Sequence, residues 1–112
     1  MTMSLLLKYK SVEETKAFYS DILAFDVADS AEGTCSVQKS GGTIVFTDGD
    51  LWEGQPHCTG TIYFFLPEVE KYYDAIKDKA ALQWPLQEMS YGLREFGVKD
   101  CNGYTLAFAK RI

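Results

Sequence analysis

The chain alternates between short apolar runs and segments whose apolar residues recur at helical spacing. Residues 5–9 form a short, mostly apolar run that predicts a strand. Ser11-Val12-Glu13-Glu14 then matches a capping box, in which the Ser11 hydroxyl accepts from the amide of Glu14 and the Glu14 carboxylate reaches back. Val12, Phe18 or Tyr19, and Ile22 follow on one helical face, so the pattern predicts an amphipathic helix over 12–23. Residues 25–28 and 35–39 are predicted strands around a turn at Glu32-Gly33. Gly41-Gly42 signals a hairpin into a β-branched strand at 43–47.

Segment 48–59 has no periodicity and contains Gly49, Gly54 and Pro56, so it predicts a linker about twice the common loop length. Beyond it, 61–66 is strand-like. Pro67-Glu68 opens a second helix with Val69, Tyr72 or Tyr73, and Ile76 on one face. Trp84-Pro85 begins an extended stretch, because a residue preceding proline avoids the helical region. Two strands at 94–99 and 104–110 flank a turn at Asp100-Cys101-Asn102-Gly103. The same unit, strand–helix–three strands, thus occurs twice. The copies also align locally, since residues 37–42 (VQKSGG) match residues 98–103 (VKDCNG), each ahead of an apolar strand. The prediction is an α+β domain of two βαβββ modules, 1–48 and 60–112, joined by a linker at 49–59 and forming a curved mixed sheet with a concave cavity.

Composition narrows the function classes. A chain of 112 residues with 46% hydrophobic content is one domain with material for a core. A net charge of −5 argues against a nucleic-acid groove, which needs clustered Lys and Arg. No apolar run reaches the length of a membrane helix, and residues 1–10 lack a basic segment and a small-residue cleavage site, so a cytoplasmic protein without membrane contact is expected. Cys35, Cys58 and Cys101 are odd in number and form no C-x-x-C pair, which disfavours a disulfide framework or a zinc site. His57 is the single histidine, and nothing in its spacing supports a nucleophilic triad.

The residues 17–25 (AFYSDILAF) resemble the first-helix signature of the glyoxalase/bleomycin resistance/dioxygenase (vicinal oxygen chelate) superfamily, with Ala24 in place of the usual glycine. Residues 91–96 (YGLREF) and 100–103 (DCNG) resemble its closing motif, with Leu93 inserted and Cys101 in place of proline. The resemblance covers nearly the whole chain and implies the fold above. Metal enzymes of that superfamily hold a divalent ion on the concave face with His, Glu or Gln from four strands. Carried over, those positions fall at Ser4, Phe46, Thr61 and Ala107, none a good metal ligand. A count shifted by one gives Leu5, Val45, Ile62 and Leu106. Shifted by two it gives Leu6, Asp48, Tyr63 and Thr105, where Asp48 alone is a strong donor. No metal and no other cofactor are therefore expected.

If the register holds, alternation places Ser4, Leu6, Lys8, Ile44, Phe46 and Asp48 on the concave face of module one. Thr61, Tyr63, Phe65, Thr105, Ala107 and Ala109 would share it in module two, with Leu5, Leu7, Ile62, Phe64, Leu106 and Phe108 packing on the helices. Such a cavity is apolar and aromatic with a few polar groups, as small-molecule sites are. The resemblance adds that members binding planar cationic antibiotics stack them on aromatic rings, for which Trp52 and Trp84 are the candidates. The expected ligand contacts are Phe46, Trp52, Tyr63, Phe65 and Trp84, with Thr61 and Thr105 beside them. His57 and Glu88 sit on segments that could rim a pocket, but surface positions are expected for both. Arg94 and Glu95 alternate to opposite faces, and an inward Glu95 is the one weak candidate for a general base.

The leading expectation is a metal-independent protein that holds a small aromatic, amphipathic or cationic molecule, paired as a homodimer because the family commonly completes its cavities that way. The alternative is a lyase or dioxygenase-type enzyme using a non-standard metal site around Asp48, His57 and Glu95, or Glu95 without metal.

Overall fold

The computed structural model describes residues 3–112, so Met1 and Thr2, the first residues of the predicted first module and of the segment read for a leader, lie outside the described residues. Strand β1 (Ser4–Lys8) leads into helix α1 (Val12–Ala17), capped by Ser11, whose hydroxyl accepts from the Glu14 amide at 3.3 Å. The predicted helix over 12–23 is present, but its last turn, Phe18–Ile22, is wound wider, with the Leu23 amide bonding back to the Phe18 carbonyl. Ala24 ends it in the left-handed region at φ 57°. Strands β2 (Asp26–Asp29), β3 (Thr34–Lys39) and β4 (Gly42–Thr47) complete the first unit. After the linker come β5 (Thr61–Phe65), α2 (Val69–Ile76), β6 (Ala81–Glu88), β7 (Leu93–Lys99) and β8 (Thr105–Arg111). No helix among the described residues is long and apolar enough to cross a membrane.

Each unit forms its own four-stranded mixed sheet, ordered β1-β4-β3-β2 and β5-β8-β7-β6. The parallel pairs β1–β4 and β5–β8 follow from the helical crossover between their neighbours. Strand β6 begins at Ala81, three residues before the extended stretch read from the sequence. It is an edge strand whose pairing with β7 is irregular on both sides of Trp84, in keeping with Pro85, which has no amide to give a ladder.

The two sheets turn their helix-bearing faces towards one shared core. Phe25 from the first unit packs against Phe64 and Phe108 of the second, with ring centres 5.1 and 6.2 Å apart. Each such pair contributes about 0.5–1.5 kcal/mol beyond its buried area. The turn between β7 and β8 clamps the halves together with polar contacts. Asp100 accepts from the Tyr19 hydroxyl at 2.5 Å, Asn102 donates to Thr15 at 3.0 Å, and the Tyr104 hydroxyl donates to the Lys8 carbonyl at 2.8 Å. Burial raises the Asp100 carboxyl above its ordinary range against the pull of the bonds it accepts from the Tyr19 hydroxyl and the backbone amides of Tyr104 and Asn102. The motif at 100–103 is therefore a structural lock. Cys35, Cys58 and Cys101 are all free thiols.

The outer faces of the sheets point away from the core. In β5 and β8 the alternation is as expected, with Ile62, Phe64, Leu106 and Phe108 in or against the core and Tyr63 and Phe65 outside. In β4 it is out by one. Leu7 pairs with Phe46 and Leu5 with Ile44, and Phe46 packs 5.3 Å from the Tyr19 ring inside the core. The cause lies in the turns. Val37 pairs with Ile44 across six residues, whereas the matched Val98 pairs with Leu106 across seven. Counting from the matched glycines therefore places β4 one residue off, and a slip of one reverses every side chain. The outward residues of β4 are Thr43, Val45 and Thr47.

Candidate functional site

The outer face of the second sheet gathers four aromatic side chains around one carboxylate. Glu95 follows Arg94 on β7, and alternation sends them apart. Arg94 turns to the helix side, where it pairs with Glu70 on α2 and with Glu88 at 3.2 Å. The pairing with Arg94, and with Lys110, pulls the Glu70 carboxyl down to about 2. Glu88 is thus at the surface, as expected, and spent on an ion pair.

Glu95 turns to the outer face and is 0% exposed. Its oxygen Oε1 accepts from the Tyr91 hydroxyl at 2.6 Å and the Tyr63 hydroxyl at 3.2 Å. Oε2 accepts from Trp84 Nε1 at 3.1 Å and again from Tyr63 at 3.2 Å. Three neutral donors, with the Tyr63 hydroxyl shared between the two oxygens, satisfy a buried carboxylate, which would otherwise carry a large desolvation penalty. The bond Tyr91 donates to Glu95, then its contact with Tyr63, pushes the Tyr91 hydroxyl well above the ordinary phenol range.

The rings have distinct supports. Trp84 lies flat over Gly97, where an added Cβ would come within 2.6 Å of the indole, so the glycine makes room for the ring. Tyr63 and Phe65 stack at 6.2 Å with their planes 24° apart, and are 39% and 44% exposed. The Arg111 guanidinium sits over Phe65, its carbon 5.0 Å from the ring centre. Tyr91 stands on the turn between β6 and β7 and folds its hydroxyl back over Glu95. Thr61 and Thr105 pair with each other at the end of the same face.

Of the residues expected to meet a ligand, Tyr63, Phe65 and Trp84 are brought together with Glu95. Phe46 is in the core. Trp52 lies elsewhere, lining a pocket of about 320 Å³ under the linker with Leu6, Lys8, Pro56, His57 and Tyr104. Lys8 ties that linker down by donating to the Gly54 carbonyl at 2.7 Å. His57 is exposed, with its ring Nε2 3.3 Å from the Thr59 hydroxyl, and Asp48 packs against Gly33. Tyr91, Arg111 and Gly97 were not singled out by alternation. The mid-strand glycine was the legible signal for a close approach, whereas Tyr91 acts from a turn, where no period applies.

The positions that carry metal ligands in the related enzymes are, with β4 in its observed register, Ser4, Val45, Thr61 and Ala107. Two hydroxyls and two hydrocarbon side chains do not suit a divalent ion. Among the described residues, no three of His, Cys, Asp and Glu converge. Asp48, His57 and Glu95 in particular are not brought together.

The family model of the Glyoxalase/Bleomycin resistance protein/Dioxygenase superfamily matches residues 4–108. No curated protein sequence matches. Among solved structures, TioX from Micromonospora sp. ML1 superposes with a TM-score of 0.79 at 18% identity, covering 100% of this chain and 99% of that one. A glyoxalase/bleomycin resistance protein/dioxygenase from Alicyclobacillus acidocaldarius gives 0.78 at 16% identity, covering 100% and 92%. A member of the same superfamily from Sphaerobacter thermophilus DSM 20745 gives 0.78 at 15% identity, covering 99% and 97%. At these identities the structural likeness shows the fold alone. Together with the family model, which spans nearly the whole chain, it places this chain in the glyoxalase/bleomycin resistance protein/dioxygenase superfamily.

Proposed function

We propose that this protein is a metal-independent, cytoplasmic binder of small aromatic or amphipathic molecules, which it takes on the outer face of its second sheet. The observation that carries the reading is the set of rings around Glu95. Tyr63 and Phe65 are exposed on a strand face where unpartnered rings lose apolar contact, and Trp84 and Tyr91 wall them in. Rings with a few fixed polar groups are what small-molecule sites use. The donor set at the family's metal positions supports binding over metal-dependent lyase or dioxygenase chemistry. Three free thiols fit a reducing compartment.

The same reading includes a homodimer. Strands β1 and β5 are unpaired edges, and Leu6, Tyr63 and Phe65 are exposed beside them. A second copy laid over these faces would convert an open shelf into an enclosed site. Sedimentation equilibrium checks this part: a dimer is expected, with Phe65→Glu shifted towards monomer.

The binding experiment uses 2-naphthylmethanol with EDTA present. Trp52→Phe leaves Trp84 as the sole indole reporter, and Trp84→Phe leaves Trp52. Saturable quenching of Trp84 fluorescence, with Trp52 unaffected, is the expected result. Quenching of Trp52 alone, or binding only after zinc, nickel or manganese is added, overturns the reading.

A further inference from the structure

We infer that Glu95 is the charge anchor of this site and that its ligands are protonated amines, whose N–H displaces the Tyr91 hydroxyl from the carboxylate. The inference rests on the outer-face reading and adds the ligand class and the residue that gates it.

The first observation is a carboxylate with no counter-ion. The ion pairs among the described residues use Asp29, Asp74, Glu70 and Glu88, and none involves Glu95. Yet Glu95 is the acidic residue with no exposure at all, and its three partners, Tyr63, Trp84 and Tyr91, are neutral. A buried carboxylate satisfied by neutral donors keeps its Coulomb attraction for an incoming cation, and that attraction is stronger away from bulk water.

The second observation concerns which donor can leave. Trp84 is held against Gly97, and Tyr63 sits in the β5 ladder. Tyr91 is 58% exposed, on a turn whose Gly92 has φ 87°. It is the more exposed of the two hydroxyls on Oε1, against 39% for Tyr63, so it is the bond a ligand meets first. Exchanging a neutral O–H donor for a charged N–H donor strengthens the contact.

The third observation is that this shelf already holds a cation. Arg111 lies over Phe65, so the ring faces beside Glu95 accept positive charge from the chain itself. An ammonium bearing N–H can use both the ring face and the carboxylate. A quaternary ammonium keeps the ring contact and a longer-range attraction to the carboxylate, but its methyl groups cannot donate to Oε1 or take the place of the Tyr91 hydroxyl. A neutral alcohol of the same shape gains neither charge term.

The test compares 2-naphthylmethylamine, its N,N,N-trimethyl salt and 2-naphthylmethanol by isothermal titration at neutral pH, on the wild-type chain, Glu95→Gln and Tyr91→Phe. The amine is expected to bind about tenfold or more tighter than both others, with that margin lost in Glu95→Gln. Tyr91→Phe keeps the ring but removes the competing hydroxyl, and should tighten the amine by roughly threefold while leaving the alcohol unchanged. That variant decides the matter if Glu95→Gln fails to fold. Equal binding of the amine and the alcohol, or of the amine and the trimethyl salt, overturns the inference while leaving an aromatic site intact. An unchanged amine affinity in Tyr91→Phe also overturns it. If none of the three compounds binds, the outer-face reading falls with it.

Discussion

Replacing Gly97 with alanine tests whether the site is built as described. A Cβ at this position would lie 2.6 Å from two indole carbons of Trp84 and 2.7 Å from a third. The contact is with the rigid indole, which lies against β7 and is bonded there to Glu95, so it cannot be relieved by swinging a flexible tip. Moving the ring stretches the 3.1 Å bond from Nε1 to Glu95, a hydrogen bond to a buried charged group. Overpacking costs about 1–3 kcal/mol, and weakening a bond to a charged acceptor adds up to about 1.5–3 kcal/mol. Against this, alanine in a strand recovers roughly 0.5–1 kcal/mol of the glycine's backbone entropy. The net expectation is a loss of about 2–3 kcal/mol in urea unfolding. The control is the double variant with Trp84→Leu, in which the obstructing ring is absent and the added cost of Gly97→Ala should fall below about 0.5 kcal/mol. A neutral Gly97→Ala, or a cost undiminished by the second substitution, refutes the packing argument and with it the placement of Trp84 beside Glu95.

Three further outcomes follow from the same structure. Ala24 ends the first helix at φ 57°, so Ala24→Gly should raise stability by about 1 kcal/mol in urea melts, whereas Gly33→Ala, at φ 76° with Asp48 in the way, should lower it. Burial raises the Asp100 carboxyl, so its share of stability is present below the unfolded carboxyl range and lost as pH rises through its folded value. The stability of Asp100→Asn relative to wild type should therefore improve from pH 4 upward and then level off, and a flat difference contradicts the burial. Glu70 has the opposite sign, being held down to about 2 by Arg94 first. Glu70→Gln should lose ground against wild type as pH rises from 2 to 4.5, and equal acid unfolding profiles would mean that the ion pair is absent in solution.

The fold was legible because the same punctuation occurs twice. The capping box at Ser11, the hairpin glycines and the turn at Asp100 mark boundaries that local chemistry sets, and the matched stretches at 37–42 and 98–103 exposed the repeat. The site was legible only where strand alternation sufficed. Tyr63, Phe65 and Glu95 point as their parity requires, and Trp84 meets them across a bulged edge strand. Phe46 went to the core because the two hairpins differ in turn length, which a comparison of their glycines cannot reveal. Trp52 went to a separate pocket because the linker is held by Lys8 on the first sheet, a contact 46 residues apart in sequence. That the sheets stand back to back, with Tyr63 and Phe65 left on the outer face of the second, depends on how Phe25 packs edge-on against both Phe64 and Phe108. No local pattern encodes that.

The central claim is that ligands bind without metal on the outer face of the second sheet. Amide and side-chain NMR of uniformly labelled, chelator-stripped protein, titrated with 2-naphthylmethanol, tests it most directly. The account predicts saturable shifts at Tyr63, Phe65, Tyr91 and the Trp84 indole, with the Trp52 indole and His57 unmoved. Shifts confined to Trp52, His57 and their pocket, or shifts that emerge only once zinc, nickel, manganese or ferrous iron is added, would contradict it.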